Sequence, residues 1–410
     1  MPRDVVIVGG GAAGLATAIF AARTAPDLRI TVVDGARTLG AKILVSGGGR
    51  CNVTNASVTE RDFNGATPGA IRTVLRAFGA RETADWFRTI GVPLHEENLG
   101  KLFPDTNRAR DVLDALVNEA RAAGVSIVTS ARVESIERDS TGFAIVTSQR
   151  RVRADAVVIA TGGLALPKSG SDGAGYRFAA AFGHTLVATT PALVPLILEG
   201  DRHVGLSGVT HDVSLRLWRV DKPRTVVGSY LWTHTGCSGP AALDISRHLL
   251  RARLDGKLPL LSLDSVGESF EAVEAWWTLE QQFRPRANPV TVAADRIPRA
   301  LAERLVFEAG IDPTMTLAML TREARRRLLH AMTSLSLDVR DARSYTHAEA
   351  TAGGVTMAEV DPATMQSRVC PGLFLVGEVL DVDGRLGGFN FQWAWSSARQ
   401  CARGLALRLA

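Results

Sequence analysis

The first fourteen residues constrain this chain more than anything after them. Val5-Val6-Ile7-Val8 is an unbroken apolar run, as expected of a strand buried on both faces, and it leads straight into Gly9-Gly10-Gly11-Ala12-Ala13-Gly14. An Ala-rich segment from about Ala12 to Thr24 follows with helical character. Arg29-Ile30-Thr31-Val32-Val33-Asp34 then reads as a second parallel strand. A glycine cluster between a buried strand and a helix, inside a βαβ unit, is the setting in which GxGxxG carries meaning. Gly9 permits the tight turn, Gly11 lets backbone approach a pyrophosphate, and Gly14 lets helix and strand pack closely. The helix start at Ala12 and Ala13 offers unpaired N–H groups and a positive dipole end to phosphate. Asp34, twenty residues after Gly14, is placed to accept from a ribose hydroxyl.

The same style returns late in the chain. Thr161-Gly162-Gly163 closes a buried strand at Ala156–Ala160. Gly372-Leu373-Phe374-Leu375-Val376 ends in Gly377-Glu378 and is followed by Gly387-Gly388-Phe389-Asn390. A second acid after a second strand suits the ribityl chain of FAD, and the later glycines would let backbone approach a flavin edge. Between these ends the texture differs. Gly40–Asn55 reads as a long loop. Helices are expected near 70–90 and 109–123, and strands at 125–129, 132–138, 143–148 and 151–153. After Pro191, segments 194–198, 206–220, 226–233 and 258–264 alternate as strands do, and residues 268–333 are mostly helical with prolines as punctuation. A last helix is expected from about Gln392 to Ala410. The expected fold class is α/β, a three-layer Rossmann-like dinucleotide domain interrupted by an insertion. Its domains are 1–190 with 346–410, a β-rich domain at 191–267 with 334–345, and a helical subdomain at 268–333.

Composition narrows the setting. Hydrophobic residues make up 46% of 410 and charged residues 22%, which excludes a disordered chain and a disulfide scaffold. The net charge of +5 comes almost wholly from Arg, with Lys only at 42, 101, 168, 222 and 257. The densest basic run, Arg325-Arg326-Arg327, sits in a helical segment and reads as a solvated face. Nucleic acid is therefore not expected as a partner. Cys51, Cys237, Cys370 and Cys401 lie far apart without CxxC spacing, so neither a metal site nor a disulfide set is expected. With no secretory leader and no apolar run near the ~20 residues of a bilayer span, a cytoplasmic location and no membrane partner are expected.

Several longer stretches resemble a known family. Lys42 through Asn55 (KILVSGGGRCNVTN), Gly377 through Ser397 (GEVLDVDGRLGGFNFQWAWSS), Thr233 through Pro240 (THTGCSGP) and Phe103-Pro104 are similar to the bacterial flavoprotein family that includes aminoacetone oxidase and the bile-acid-reductase-like flavoproteins. The resemblance implies a glutathione-reductase-type FAD domain interrupted by a β-barrel-like domain carrying a helical subdomain. It implies that Ser46, Gly47, Gly48, Gly49, Arg50, Cys51 and Asn52 lie along the cofactor. It also implies that Val133, mid-strand, faces adenine through its backbone, and that Thr161, Gly162 and Gly163, then Gly387, Gly388, Phe389, Asn390 and Phe391, pass near FAD. Phe389 stands where the family commonly has Tyr, and His347-Ala348-Glu349-Ala350 replaces a more apolar lead-in.

Single residues carry two readings each. Lys42 and Arg50 suit phosphate charge or an anionic reduced flavin, and suit equally a fold-holding ion pair. Cys51 beside Arg50 invites a lowered pKa, but a packed, unreactive thiol explains it as well. His234 and His347 are the acid–base candidates, with Thr233 or Ser238 as a cap for the helix starting at Pro240. Trp393 and Trp395 read first as core, with one of them near enough to reach the cofactor.

The expected function is an oxidoreductase with non-covalent FAD acting on a small organic substrate, an amine-like compound by resemblance. The alternative is reduction of a conjugated C=C bond, with electrons from transient NAD(P)H or a protein donor. A reading of another class is a non-catalytic FAD-binding redox sensor or nucleic-acid binder. The insertion is expected to roof the flavin.

Overall fold

The computed structural model describes residues 3–409; Met1, Pro2 and the expected helix end at Ala410 lie outside the described residues. Contacts divide the chain into two units, Met1–Pro191 with Glu349–Ala410, and Ala192–Ala348.

The first unit is built on a parallel five-stranded sheet, ordered Leu373–Leu375, Ala156–Ile159, Arg3–Val8 (β1), Leu28–Val33 (β2), Ser126–Val128. Val5, Ile7, Val32 and Ala156–Ile159 are fully buried, each Val or Ile contributing roughly 1.5–3 kcal/mol of transfer free energy. The helix Ala12–Thr24 (α1) has no polar stripe. Ala13 through Ala21 are all buried, as in a helix covered on every side, and the long helix Phe389–Leu409 packs along it. The strand ends are in step. Val8 lies opposite Val33 and Ile159, and the hydrogen bonds Gly9 N→Val33 O, Ala160 N→Val8 O, Asp34 N→Val128 O and Val376 N→Ile159 O continue the ladder. The segments from Gly9, Asp34, Ala160 and Val376 thus leave the sheet at one edge, the carboxyl edge where open α/β sheets bind ligands.

Local details differ from the sequence expectations. Gly40–Asn55 is not loop throughout. Ala41–Gly49 is helical for its first turn, then breaks at Ser46 (ψ 149°), Gly47 (φ 56°) and Gly48 (φ 68°). A single turn before three glycines leaves too short a periodicity to read. The 70–90 stretch is two helices, Pro68–Leu75 and Ala80–Thr89. Val133 opens its strand, Val133–Asp139, instead of lying mid-strand, and the last helix begins at Phe389.

In the second unit seven strands pair antiparallel wherever their register is defined, ordered Leu335–Leu337, Leu260–Asp264, Thr210–Trp218, Arg224–Thr233, Gly236–Ser238, Leu196–Leu198, Val339–Ala342. The two outermost strands are separated only by Asp338, so the sheet must curl until its edges approach, as in a barrel. The residues before Thr210 form a short 3-10 turn at Val204–Leu206. Helix Pro240–Leu254 packs on the strands. Helices Phe270–Phe283 and Arg322–Ser334, capped by the Ser269 and Thr321 hydroxyls, share the unit's core through Val273, Trp277, Leu328 and Met332.

Candidate functional site

The glycine fingerprint folds as its chemistry requires. Gly9 has φ 107°, and a Cβ there would sit 2.5 Å from the Ala160 carbonyl; one on Gly14 would lie 1.9 Å from the Gly9 carbonyl. Both are close-approach glycines. Around a Cβ on Gly11 there is no atom within 4 Å, so that face of the turn is open. No side chain caps α1 and no acid occupies its first turn. An uncapped N-terminus with the sign and the room for a phosphate is therefore built at Gly11, Ala12, Ala13 and Gly14. Asp34 locks the turn: Oδ2 accepts from Gly10 N and Oδ1 from Ala36 N, both at 2.7 Å. Each oxygen keeps a lone pair for a ribose hydroxyl.

The returning segment meets this edge through a network that sequence reading did not anticipate. Lys42 Nζ lies 2.5 Å from Glu378 Oε2, with both side chains mostly buried. Glu378 Oε1 accepts from Thr351 N at 3.0 Å, and the Thr351 hydroxyl accepts from Leu164 N and Ala165 N at 2.9 and 3.0 Å. A Cβ on Gly163 would meet the Thr351 hydroxyl at 2.5 Å and Glu378 Oε1 at 3.0 Å. Four segments distant in sequence are thereby joined. Thr351 leaves no signal in the sequence, because a Thr among small residues looks like any other. Glu378, expected at a ribityl chain, accepts from Lys42 and from the Thr351 backbone.

The Ser46–Asn52 loop is held from below. Gly47, Gly48 and Gly49 are left-handed, and so is Cys51 at φ 65°, a conformation costing roughly 1–3 kcal/mol in a non-glycine residue. The Ser46 hydroxyl donates to Ile43 O, and Cys51 N donates to Ser46 O. The Asn52 amide, oriented by its neighbours, donates to Thr54 O and Leu102 O and accepts from Gly388 N at 3.1 Å. The Gly388 N–H is thus spent on Asn52. Arg50 turns to Glu97 Oε1 at 2.6 Å and lies 4.1 Å over the Phe103 ring. Cys51 is fully buried, and desolvation pushes its thiol up to about 12. A lowered pKa is thereby overturned: burial outweighs the lowering effect of the hydrogen bond with Ser46.

Phe389 is buried against Phe63, with the Arg385 guanidinium over its ring. Asn390 bonds the Gly384 backbone through both amide atoms, and Phe391 stacks on Trp395. Trp393 and Trp395 are buried and donate to Gly377 O and Val53 O. Val133 is buried at its strand start, and Gly162 takes φ 73° beside Thr161.

In the second unit His234 is exposed in the two-residue turn of a hairpin closed by Thr233 and Gly236. The helix from Pro240 is preceded by Gly239, with no side-chain cap, so neither Thr233 nor Ser238 caps it. His347 is exposed, its Nδ1 2.9 Å from the Thr346 hydroxyl. The four cysteines are free and buried. Among the described residues no metal-binding cluster occurs, and no helix is long and apolar enough to cross a membrane.

Residues 3–404 match the family described as HI0933-like protein Rossmann domain. The chain is 34% identical over 405 residues to a 3-dehydro-bile acid delta(4,6)-reductase of Clostridium scindens, covering 98% of each. It is 33% identical over 402 residues to a ribosomal RNA dihydrouridine synthase of Escherichia coli, again covering 98% of each. A solved quinol fumarate reductase of E. coli shares the fold at 16% identity and TM-score 0.52, over 99% of this chain and 70% of that one. The RNA-acting relative stands against the expectation that nucleic acid plays no part.

Proposed function

The chain belongs to the HI0933-like Rossmann-domain family, and from that premise we propose that it is an FAD-dependent oxidoreductase that reduces a carbon–carbon double bond conjugated to a carbonyl. The observation that carries the cofactor reading is the uncapped α1 N-terminus beside open space at Gly11, with Asp34 anchored alongside. FAD held there supplies two-electron hydride chemistry. The N–H groups of Ala12, Ala13 and Gly14 would hold its pyrophosphate, and Asp34 would take a ribose hydroxyl. The Lys42–Glu378–Thr351 network keeps the returning segment in register with them. FAD is read as bound non-covalently, in keeping with a Cys51 that is fully buried and whose thiol burial pushes up to about 12.

The reaction class comes from what the two relatives' names have in common. A 3-keto bile acid with 4,6 unsaturation and the uracil ring of uridine both present C=C conjugated to C=O. Reduction adds a hydride to the β-carbon and a proton to the α-carbon, and needs an acid near the latter. His234 and His347, both exposed, are the candidates for that proton. The reading that the substrate is an amine-like compound rests on family resemblance alone.

Anaerobic mixing tests this. NAD(P)H should bleach the bound flavin's visible band, and an enone steroid or uridine-containing RNA should restore it. Bleaching by amines, with no reoxidation by either unsaturated acceptor, overturns the proposal.

A further inference from the structure

The identities to the bile-acid enzyme and to the RNA enzyme are nearly equal, so overall similarity does not choose between a free small molecule and RNA. The surface of the second unit does.

Strands Thr210–Trp218 and Arg224–Thr233 form a long hairpin, and helix Pro240–Leu254 packs on it. Residues 216–224 and 244–257 together hold eight Lys and Arg against three Asp, which equals the formal excess of the whole chain. The two segments are neighbours. Lys257 pairs with Asp221 across them, and Trp218 lies opposite Leu260 in the sheet. Of the cations, Arg216 is matched by Asp264 at 3.2 Å. Arg253 donates to the backbone carbonyls of Val339 and Arg340, which leaves its charge uncancelled. Arg219, Lys222 and Arg224, at the hairpin tip, are exposed and have no carboxylate partner among the described residues. The positive potential registers on His248, held down to about 4 by burial and by Arg247 and Arg224.

An aromatic platform stands within this patch. Trp218 is 45% exposed, yet its indole N–H is tied to Ser262 Oγ at 3.2 Å. The ring is fixed and its face is open, with exposed Leu254, Leu258 and Leu260 nearby. Unpaired cations beside an anchored, open aromatic face are what nucleic acid uses: phosphates meet the cations and a base stacks on the ring.

We infer that the 216–224 hairpin tip with Trp218 is an RNA-docking surface, which delivers a uridine-bearing RNA as the substrate of this enzyme. The inference rests on the conjugated-double-bond reading for the reaction, and on charge and exposure for the surface and for the choice of RNA. Phosphates sit on Arg219, Lys222 and Arg224, and an unpaired base stacks on Trp218.

The test is titration of the FAD-loaded protein with a fluorescein-labelled stem-loop RNA at several salt concentrations, without any electron donor. Combined Arg219→Glu, Lys222→Glu and Arg224→Glu should weaken binding by tenfold or more, and should lower the salt slope by about 2–3, the value for three lost phosphate contacts. Trp218→Ala should weaken binding at an unchanged salt slope. Flavin content and NAD(P)H-driven bleaching should match the parent in both variants, which separates lost docking from misfolding; a milder Arg219→Gln, Lys222→Gln, Arg224→Gln set serves if charge reversal impairs folding. Parent-like RNA affinity in the charge variants overturns the surface. If heparin or phosphatidylglycerol vesicles bind as tightly as RNA and Trp218→Ala affects none of them, the patch is a general polyanion surface and the RNA assignment falls. RNA that binds but never reoxidises the reduced flavin overturns RNA as the substrate and leaves the docking surface standing, whereas failure of an enone steroid as well sinks the reductase reading.

Discussion

Lys42 Nζ lies 2.5 Å from Glu378 Oε2, an ion pair between residues 336 apart in sequence. It ties the helix turn that precedes the glycine loop to the strand end that returns after the second unit. Because both side chains are mostly buried, removing either partner leaves a charge with little solvent to replace it. In a double-mutant cycle, Lys42→Met and Glu378→Gln should couple by roughly 0.5–3 kcal/mol in urea unfolding. Additive effects would mean that the pair merely coexists.

Gly11→Val should leave the protein folded and colourless. The new side chain meets no protein atom where its Cβ begins, so circular dichroism and the melting midpoint of the apoprotein should match the parent. The space it fills is the one assigned to pyrophosphate, so flavin occupancy should be near zero. Normal flavin content in this variant removes the cofactor placement.

The thiols should be silent in the folded state. Cys51 and Cys237 are both pushed up to about 12 by burial, and Cys370 and Cys401 are buried as well. A thiol reagent at pH 8 should find none until guanidinium is added, and then four. Acid precipitation should release the flavin to the supernatant; flavin that stays with the pellet would show a covalent link.

Acid should weaken the second unit through His248. Unfolded, its imidazole takes a proton near pH 6.5; folded, only near about 4. Between those values unfolding takes up a proton, so the stability present above pH 6.5 falls on acidification, by as much as roughly 3 kcal/mol. His184, buried between Glu359 at 3.0 Å and Ser367 at 2.8 Å, is lowered in the first unit by burial and acts in the same direction. Urea midpoints at pH 7, 6 and 5 should drift downward, and His248→Gln should flatten part of the drift. An identical drift in the variant assigns it elsewhere.

His234→Ala should keep its flavin, since an exposed hairpin turn contributes little packing. If His234 delivers the proton, turnover should fall by roughly 10²–10⁴-fold. Full turnover with a lower melting midpoint would make it a structural histidine.

The βαβ start was legible because its signals are local. Four consecutive buried residues, a glycine spacing and an acid at a strand end all lie within thirty-four residues. The return of the chain to the same sheet was legible too, because the run ending at Val376 repeats the texture of Val5–Val8. What stayed hidden depends on long-range partners. Arg50 suited a phosphate and an ion pair alike in sequence, because Glu97 and Phe103 come beside it only in the fold. Cys51 kept two readings beside Arg50, and only its burial, which depends on the whole fold, favours the packed thiol. Thr351 has no distinguishing neighbour in sequence, and its role exists only where Leu164, Ala165 and Glu378 converge.

The split of the first unit between both ends of the chain has a consequence for how the protein is made. The strand Leu373–Leu375 forms one edge of the five-stranded sheet, and Glu378, which clamps Lys42, follows it. Both leave the ribosome after the whole of residues 192–348, whose barrel and helices hold a separate core. The inserted unit can therefore be finished while Ala156–Ile159 still waits for its edge strand and α1 for the last helix. The α1 face that the last helix covers and the open edge of Ala156–Ile159 stay unprotected until the C-terminal segment arrives, so the nascent chain passes through a window in which the cofactor has no complete binding surface and chaperones have one.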